Sequence, residues 1–325
     1  MASVKPAPRG PGLPKPSGLP PEGEPTRLIG WNDVRVMGSL PPGLLVAWGA
    51  PEPWWDALGK GFSRLHSTRS RRLAQHIRTV IGPASLADSP EQVALEYLAN
   101  RLPSKLQRLR LLGPRGWNPE LRLQGREHIA AALAQGRGAV LWIAPFLFSG
   151  LVSKLTLHRA GFAISHLSRH DHGFSRTAFG IRILNPLITR VENRYAERIV
   201  IPEDGSVRGA FQAMQQRLRE NGLVSVTVGP QGVQALSAPV LSGALRVAPG
   251  APKLAARARA PLLPVVVIRE APGSFITFVE PPLELPGGLP PGTVALQAVA
   301  ELGRRLEPYL LRWPGQFNWA ELGVR

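Results

Sequence analysis

The sequence predicts an α/β fold, a mostly parallel sheet flanked by helices with a helical segment in front of it. Three observations predict this. The runs AVLWIA (139–144), LVSVTV (223–228) and LLPVVVI (262–268) are almost continuously apolar, as strands covered on both faces are. Segments of helical periodicity alternate with such runs, the pattern of a parallel sheet. Hydrophobic residues make up 44% of the chain, enough for a substantial core.

The elements follow in order. Residues 1–27 are rich in Pro and Gly and are expected to be an extended tail without a fold of its own. Residues 28–112 form a helical region. Pro53, Trp54, Trp55 and Leu58 open a segment in which Leu65, Leu73, Ile77, Val80 and Ile81 recur at helical spacing, with Arg69, Arg71, Arg72 and Arg78 between them. Gly82-Pro83 stops it, and Ser89-Pro90-Glu91 has the residues of a new helix start. The basic stretch SKLQRLRLLG follows Pro103. Residues 113–325 form the α/β domain. Strands are expected at 121–123, 139–144, 163–167, 199–201, 224–228, 262–268 and 275–278. Helices are expected at 126–135, 151–160, 206–220, 251–258 and 294–311. Residues 168–186 read as an irregular crossing, and those from 229 to 250 as a loop.

Charge and composition narrow the function. Lys and Arg total 39 against 22 Asp and Glu, a net +17 that favours anionic partners. No recognition motif or interleaved aromatic platform accompanies the charge, so no specific nucleic-acid partner is expected. The absence of cysteine excludes thiol nucleophiles, disulfides and Cys-ligated metals. Neither GxGxxG after a strand nor GxxxxGK[ST] occurs, so the nucleotide fingerprints fail. No run reaches the roughly 18 apolar residues of a membrane span. The Pro-rich opening MASVKPAPRGPGLPKP lacks the apolar core of a signal peptide. The expectation is a cytoplasmic protein, peripheral on the inner face of the cytoplasmic membrane. The basic helical region reads in two ways: amphipathic surface against anionic lipid, or a layer docked on the main domain with solvated arginines outside.

Four stretches carry a family resemblance: LQGREHIAAALAQGRGAVLW (123–142), SVRGAFQAMQQRLRENGLVSVTVGPQG (206–232), APVLSGALRVAPGAPKLAARARAPLLPVVV (238–267) and RWPGQFNWAELG (312–323). In this order they resemble the bacterial lipid A lauroyl/myristoyl acyltransferases, of the lysophospholipid-acyltransferase-like superfamily. The resemblance implies a glycerolipid-acyltransferase-like fold. It also implies transfer of a fatty acyl group from acyl carrier protein or coenzyme A to a hydroxyl or amine of a lipid-like acceptor. Acyl-CoA or acyl carrier protein would then be co-substrate and partner, with no separate cofactor. Family members use a His as general base and an acidic residue five positions later to orient it. Here those positions hold Pro145 and Gly150, and a later family Asp falls at Gly229. A proline cannot take a proton, and glycine has no side chain to orient one. The alternative is therefore an inactive acyltransferase-fold protein that binds lipid or acyl thioester. Pro145 and Gly150 are expected to line a cleft.

Replacement groups are sought near strand ends, where α/β sheets bind ligands. The segment SHLSRHDHGFSR brings His170, Asp171 and His172 together just past a buried strand, a candidate base system with its own carboxylate. The His spacing matches no standard zinc signature, so no metal is expected. The resemblance places a phosphate-binding Arg near Arg198, which could equally pair with Glu192 or Glu197. Gln231, in the turn GPQG, and Gly243, in LSG, are further candidates for substrate contact, since such turns let backbone approach a ligand.

Overall fold

The computed structural model describes residues 27–82, 86–203, 206–230, 235–285 and 288–324. Four helices come first: Trp31–Gly49 (α1), Glu52–Leu65 (α2), Ser67–Ile81 (α3) and Pro90–Arg110 (α4). Ser89 caps α4 by accepting the Gln92 amide at 3.2 Å, with Pro90 fitting the first turn, where no amide partner is needed. Helix α1 falls within the helical region expected from residue 28, although Pro41 and Pro42 sit inside it at a cost in helix stability. Packing overrides that cost: Leu40, Leu44 and Ala47 of α1 join Trp55 of α2 and Leu106 and Leu109 of α4 in one apolar cluster.

The α/β part runs Glu120–Gln124 (β1), Arg126–Leu133 (α5), Ala139–Ile143 (β2), Ser149–Arg159 (α6) and Ile164–Arg169 (β3). A π turn, Gly180–Leu184, leads into Asn185–Glu192 (α7), followed by Glu197–Ile201 (β4), Val207–Arg219 (α8) and Leu223–Thr227 (β5). The hairpin Leu236–Val240 (β6) and Gly243–Val247 (β7) precedes Gly250–Ala258 (α9), Leu262–Ala271 (β8), Ser274–Val279 (β9), Pro291–Arg312 (α10) and Leu322–Val324 (β10). The main sheet has the order β1-β9-β8-β2-β5-β3-β4, parallel except where the β8–β9 hairpin reverses direction. A smaller antiparallel sheet, β10-β7-β6, stands beside it. The expected strands and helices all occur; α7 starts at the end of the stretch expected to be irregular, and the β6–β7 hairpin lies in the stretch expected to be a loop.

Central strand β2 shows why the apolar runs were readable. Val140, Trp142 and Ala144 enter a core shared with α3, α8, α9 and α10. Ala139, Leu141 and Ile143 enter the opposite one, with Ile129 of α5 and Leu157 of α6. Gly138 sets the entry into β2: its φ is +61°, and a Cβ there would lie 2.3 Å from the Gly222 carbonyl. Helix α3 contributes Ala74, Ile77 and Val80 to the first core, so the helical region and the sheet share one interior.

Two short turns, Pro314–Gln316 and Trp319–Glu321, close the chain over the carboxyl end of β2. The Leu147 amide donates to the Gln316 carbonyl and the Asn318 amide to the Pro145 carbonyl, both at 2.9 Å. Gln316 accepts the Arg269 amide at 2.9 Å and donates to the Arg269 carbonyl at 2.8 Å. His76 of α3 meets the Trp319 carbonyl at 3.1 Å, and Tyr97 of α4 donates to Asn318 at 3.0 Å. Within this block burial pushes the Glu321 carboxyl up to about 7, against an ordinary 4.5. The native chain then binds more protons than the unfolded chain between those values, so stability falls as pH rises from 4.5 to about 7. Glu321→Gln is expected to remove that slope, gaining about 1–3 kcal/mol relative to wild type at pH 8 but little at pH 4. Urea midpoints at the two pH values check it; equal slopes for both proteins would show that Glu321 is not the group responsible.

Candidate active site

The carboxyl end of β2, the start of α6 and the segment after β3 meet on the face of the sheet that α6 and α7 cover. Pro145 is buried beneath Asn318 rather than lining an open cleft, whereas Gly150 is half-exposed in the first turn of α6. The Arg108 guanidinium of α4 stands where a side chain at 150 would go, its Nη2 3.3 Å from an added Cβ. Its Nε is buried without a hydrogen-bond partner among the described residues, as is the Ser149 hydroxyl. The two substitutions that restore the family residues should therefore diverge. Gly150→Asp places a carboxylate beside Arg108, and a stability change within about 1 kcal/mol is expected. Pro145→His buries an imidazole without a partner, with an expected loss of about 2–3 kcal/mol. Thermal denaturation of the two single variants compares them, and equal stabilities would put Pro145 on an open surface.

One turn beyond Gly150 on α6, Lys154 is 3% exposed and donates to Glu192 Oε2 of α7 at 2.6 Å. Glu192, 2% exposed, also meets His172 Nε2 at 3.1 Å through the same oxygen. His172 follows β3 and keeps 35% of its side chain open to solvent. Burial opposes the charge on Glu192, but the His172 hydrogen bond and the Lys154 ammonium outweigh it and hold the carboxyl well below its ordinary range. Burial also lowers the Lys154 ammonium, with Glu192 working against that shift. Beneath them, His166 of β3 lies opposite Ser225 of β5, its Nδ1 2.9 Å from the hydroxyl. Its own burial and the nearby Lys154 charge push it well below 6.5, so this imidazole is neutral near pH 7.

The segment after β3 is shaped by Asn185, a buried residue at the start of α7. Its side-chain oxygen accepts the Phe174 and Ser175 amides at 2.7 and 3.0 Å, and its amide donates to the Ser175 and Asp171 carbonyls at 2.7 and 3.2 Å. The Asp171 carboxylate faces Arg169 at 3.0 Å and Arg176 at 2.8 Å, while the carboxylate at His172 is that of Glu192. The His170 amide is bonded to the Ile201 carbonyl at 3.1 Å, which extends the β3–β4 ladder. Arg198 of β4 donates through Nε and Nη2 to Ser168 at 3.2 and 3.0 Å and through Nη2 to the Arg169 carbonyl at 3.1 Å. Gly243 lies on the smaller sheet, where a Cβ would meet Val80 of α3 at 2.9 Å and the Gly323 carbonyl at 3.0 Å. Gln231 lies outside the described residues. Among the described residues no group of three His, Asp or Glu has the geometry to hold a metal ion.

Sequence reasoning missed Lys154 and weighed Glu192 only as a partner for Arg198. The available signal was Lys154 itself, a lone cation in LVSKLTL. A lysine ringed by apolar residues in a helix packed on both sides needs a buried anion.

A half-exposed imidazole held by a buried carboxylate, at the carboxyl end of a mostly parallel sheet, is the arrangement of a site that can move a proton at a bound ligand. The sequence model of the bacterial lipid A biosynthesis acyltransferase family matches residues 42–320, and the chain belongs to that family. A search of curated proteins found no match to the chain.

Proposed function

We propose that the protein transfers a fatty acyl group from an acyl thioester of coenzyme A or acyl carrier protein to a hydroxyl or amine of a lipid-like acceptor, with His172 as general base and Glu192 as its orienting acid. The observation that carries this is the 3.1 Å contact between His172 Nε2 and the buried Glu192 carboxylate. A His–carboxylate pair, built from different elements, is tied through Lys154 to the helix that carries Gly150, where the family has its acid. With the proton on Nε2 donated to Glu192, Nδ1 is the nitrogen that accepts. It takes the acceptor's proton as the oxygen or nitrogen attacks the thioester carbonyl. The tetrahedral intermediate collapses, the C–S bond breaks, and the thiolate leaves with the proton from the imidazolium. Arg198 braces the base of the segment, and its Nη1, which has no hydrogen-bond partner among the described residues, would meet an anionic group of the donor.

A second reading, an inactive binder of lipid or acyl thioester, is favoured by the sealed strand end at Pro145. Thiol release from acyl-CoA and acyl carrier protein, with detergent-dispersed acceptors, separates the two. Release that depends on acceptor and disappears in His172→Gln supports the enzyme. Thioester binding by calorimetry with no release supports the binder, and neither binding nor release overturns both.

A further inference from the structure

We propose that a row of cations on α4, Arg101, Lys105 and Arg108, joined by Arg69 of α3, is a binding site for a phosphorylated group of a substrate. The inference deepens the proposed reaction by naming a substrate class. Its link to acyl transfer rests on that reading, while the binding of phosphate does not. Positions 101, 105 and 108 recur at helical spacing and span about 10 Å of one face of α4. One turn before the row, Tyr97 donates to Asn318, whose amide bonds the Pro145 carbonyl. At the far end, Arg108 Nη2 stands 3.3 Å from the place of a Cβ at Gly150. Arg108 is also close enough to the buried pair for its charge to act on Glu192 and Lys154. The row thus runs from the covered end of β2 to the first turn of α6.

Like charges at such spacing repel one another. Loss of water lowers the Lys105 ammonium, and the charges of Arg101, Arg69, Arg35 and Arg108 lower it further. Arg69 is lowered in the same way, first by burial and then by Arg101. Where cations crowd elsewhere, carboxylates stand between them: Glu301 serves Arg304 and Arg305, and Glu197 and Glu220 flank Arg217. Among the described residues none of Arg69, Arg101, Lys105 and Arg108 has an ion-pair partner. Gly150 leaves Arg108 uncompensated, since an acid at that position would sit against the guanidinium. The counter-charge is then to come from a ligand. A carboxylate brings one negative charge, whereas a phosphate brings up to two and accepts from several donors at once. Four cations over this length fit a diphosphate or a pair of phosphate monoesters. Such a group can belong to the thioester donor or to the headgroup of the acceptor.

Calorimetry of the full chain with inorganic pyrophosphate tests this. Wild type is expected to bind it and to melt at a higher temperature in its presence. Arg101→Gln/Arg108→Gln should bind at least about tenfold more weakly. Gly150→Asp, which adds a carboxylate beside Arg108, should weaken binding too. Arg137→Gln/Arg257→Gln removes two exposed cations, before β2 and in the last turn of α9, and should bind as wild type does. So should His172→Gln, whether or not it transfers acyl groups, which keeps this result separate from the reaction. Melting temperatures no lower than wild type without the anion establish that the variants are folded. Competition then identifies the source. Displacement of pyrophosphate by coenzyme A but not by pantetheine assigns the row to the donor. Displacement by lysophosphatidic acid but not by monoacylglycerol assigns it to the acceptor. No binding by wild type, equal losses in the two arginine pairs, or pyrophosphate displaced by none of these compounds overturns the proposal.

Discussion

His172→Ala is expected to lower the acyl-transfer rate by a factor on the order of 10²–10⁴ while leaving the fold intact. The imidazole lies at the edge of the site, and its removal leaves Glu192 still paired with Lys154 at 2.6 Å. The structural cost should therefore be small, which makes the rate a clean reading of proton transfer. His170→Ala is the matched control: the recorded bond of His170 runs through its backbone amide, which alanine keeps. Arg198→Ala should raise KM more than it lowers kcat, because a contact to an anionic group is made in ground and transition states alike. Kinetics on the three variants decide the matter. Full turnover in His172→Ala would remove the His172–Glu192 pair from the reaction.

The largest stability effect is expected at Lys154. Lys154→Met removes the ammonium from a carboxylate that is 2% exposed, and breaking a buried pair on one side costs about 3–5 kcal/mol. Lys154→Met/Glu192→Leu removes both charges and should recover most of that loss, since an apolar pair of similar volume fills the space. Glu192 is held below its ordinary 4.5, so its contribution is in place above that pH and is lost as pH falls through the native value. Urea denaturation of the single and double variants at pH 7 measures the difference. A double variant no more stable than Lys154→Met would mean that packing, not charge, is at stake.

Long-range pairing marks the boundary of what could be read beforehand. Strands β2, β5 and β8 were legible because burial on both faces leaves an apolar run that local sequence carries alone. The β6–β7 hairpin was not, because Pro239 and Gly243 read as loop and only pairing with each other and with β10 makes these residues strands. Helix α7 hid behind Pro186 and the π turn before it. At the site, His172 was visible by type and by its place after a strand. Its carboxylate was sought at the adjacent Asp171, but the two arginines hold that group. Glu192 is 20 residues away and reaches His172 only once Asn185 has fixed the turn between them. Spacing along a chain reveals pairs on one element, and this pair belongs to two.

The closing block has a consequence for how the molecule comes into being. His76 and the Trp319 carbonyl are 243 residues apart, and Ala74, Ile77 and Val80 share their core with Trp319 and Leu322. During synthesis α3 leaves the ribosome long before the residues that complete its surroundings exist. The part of its surface that meets Trp319 and Leu322 stays incomplete until those residues have been made. Pairings this distant slow folding and lengthen the time in which a nascent chain can aggregate. At this corner a helix made early is completed by residues 314–324, made after the sheet on which both rest.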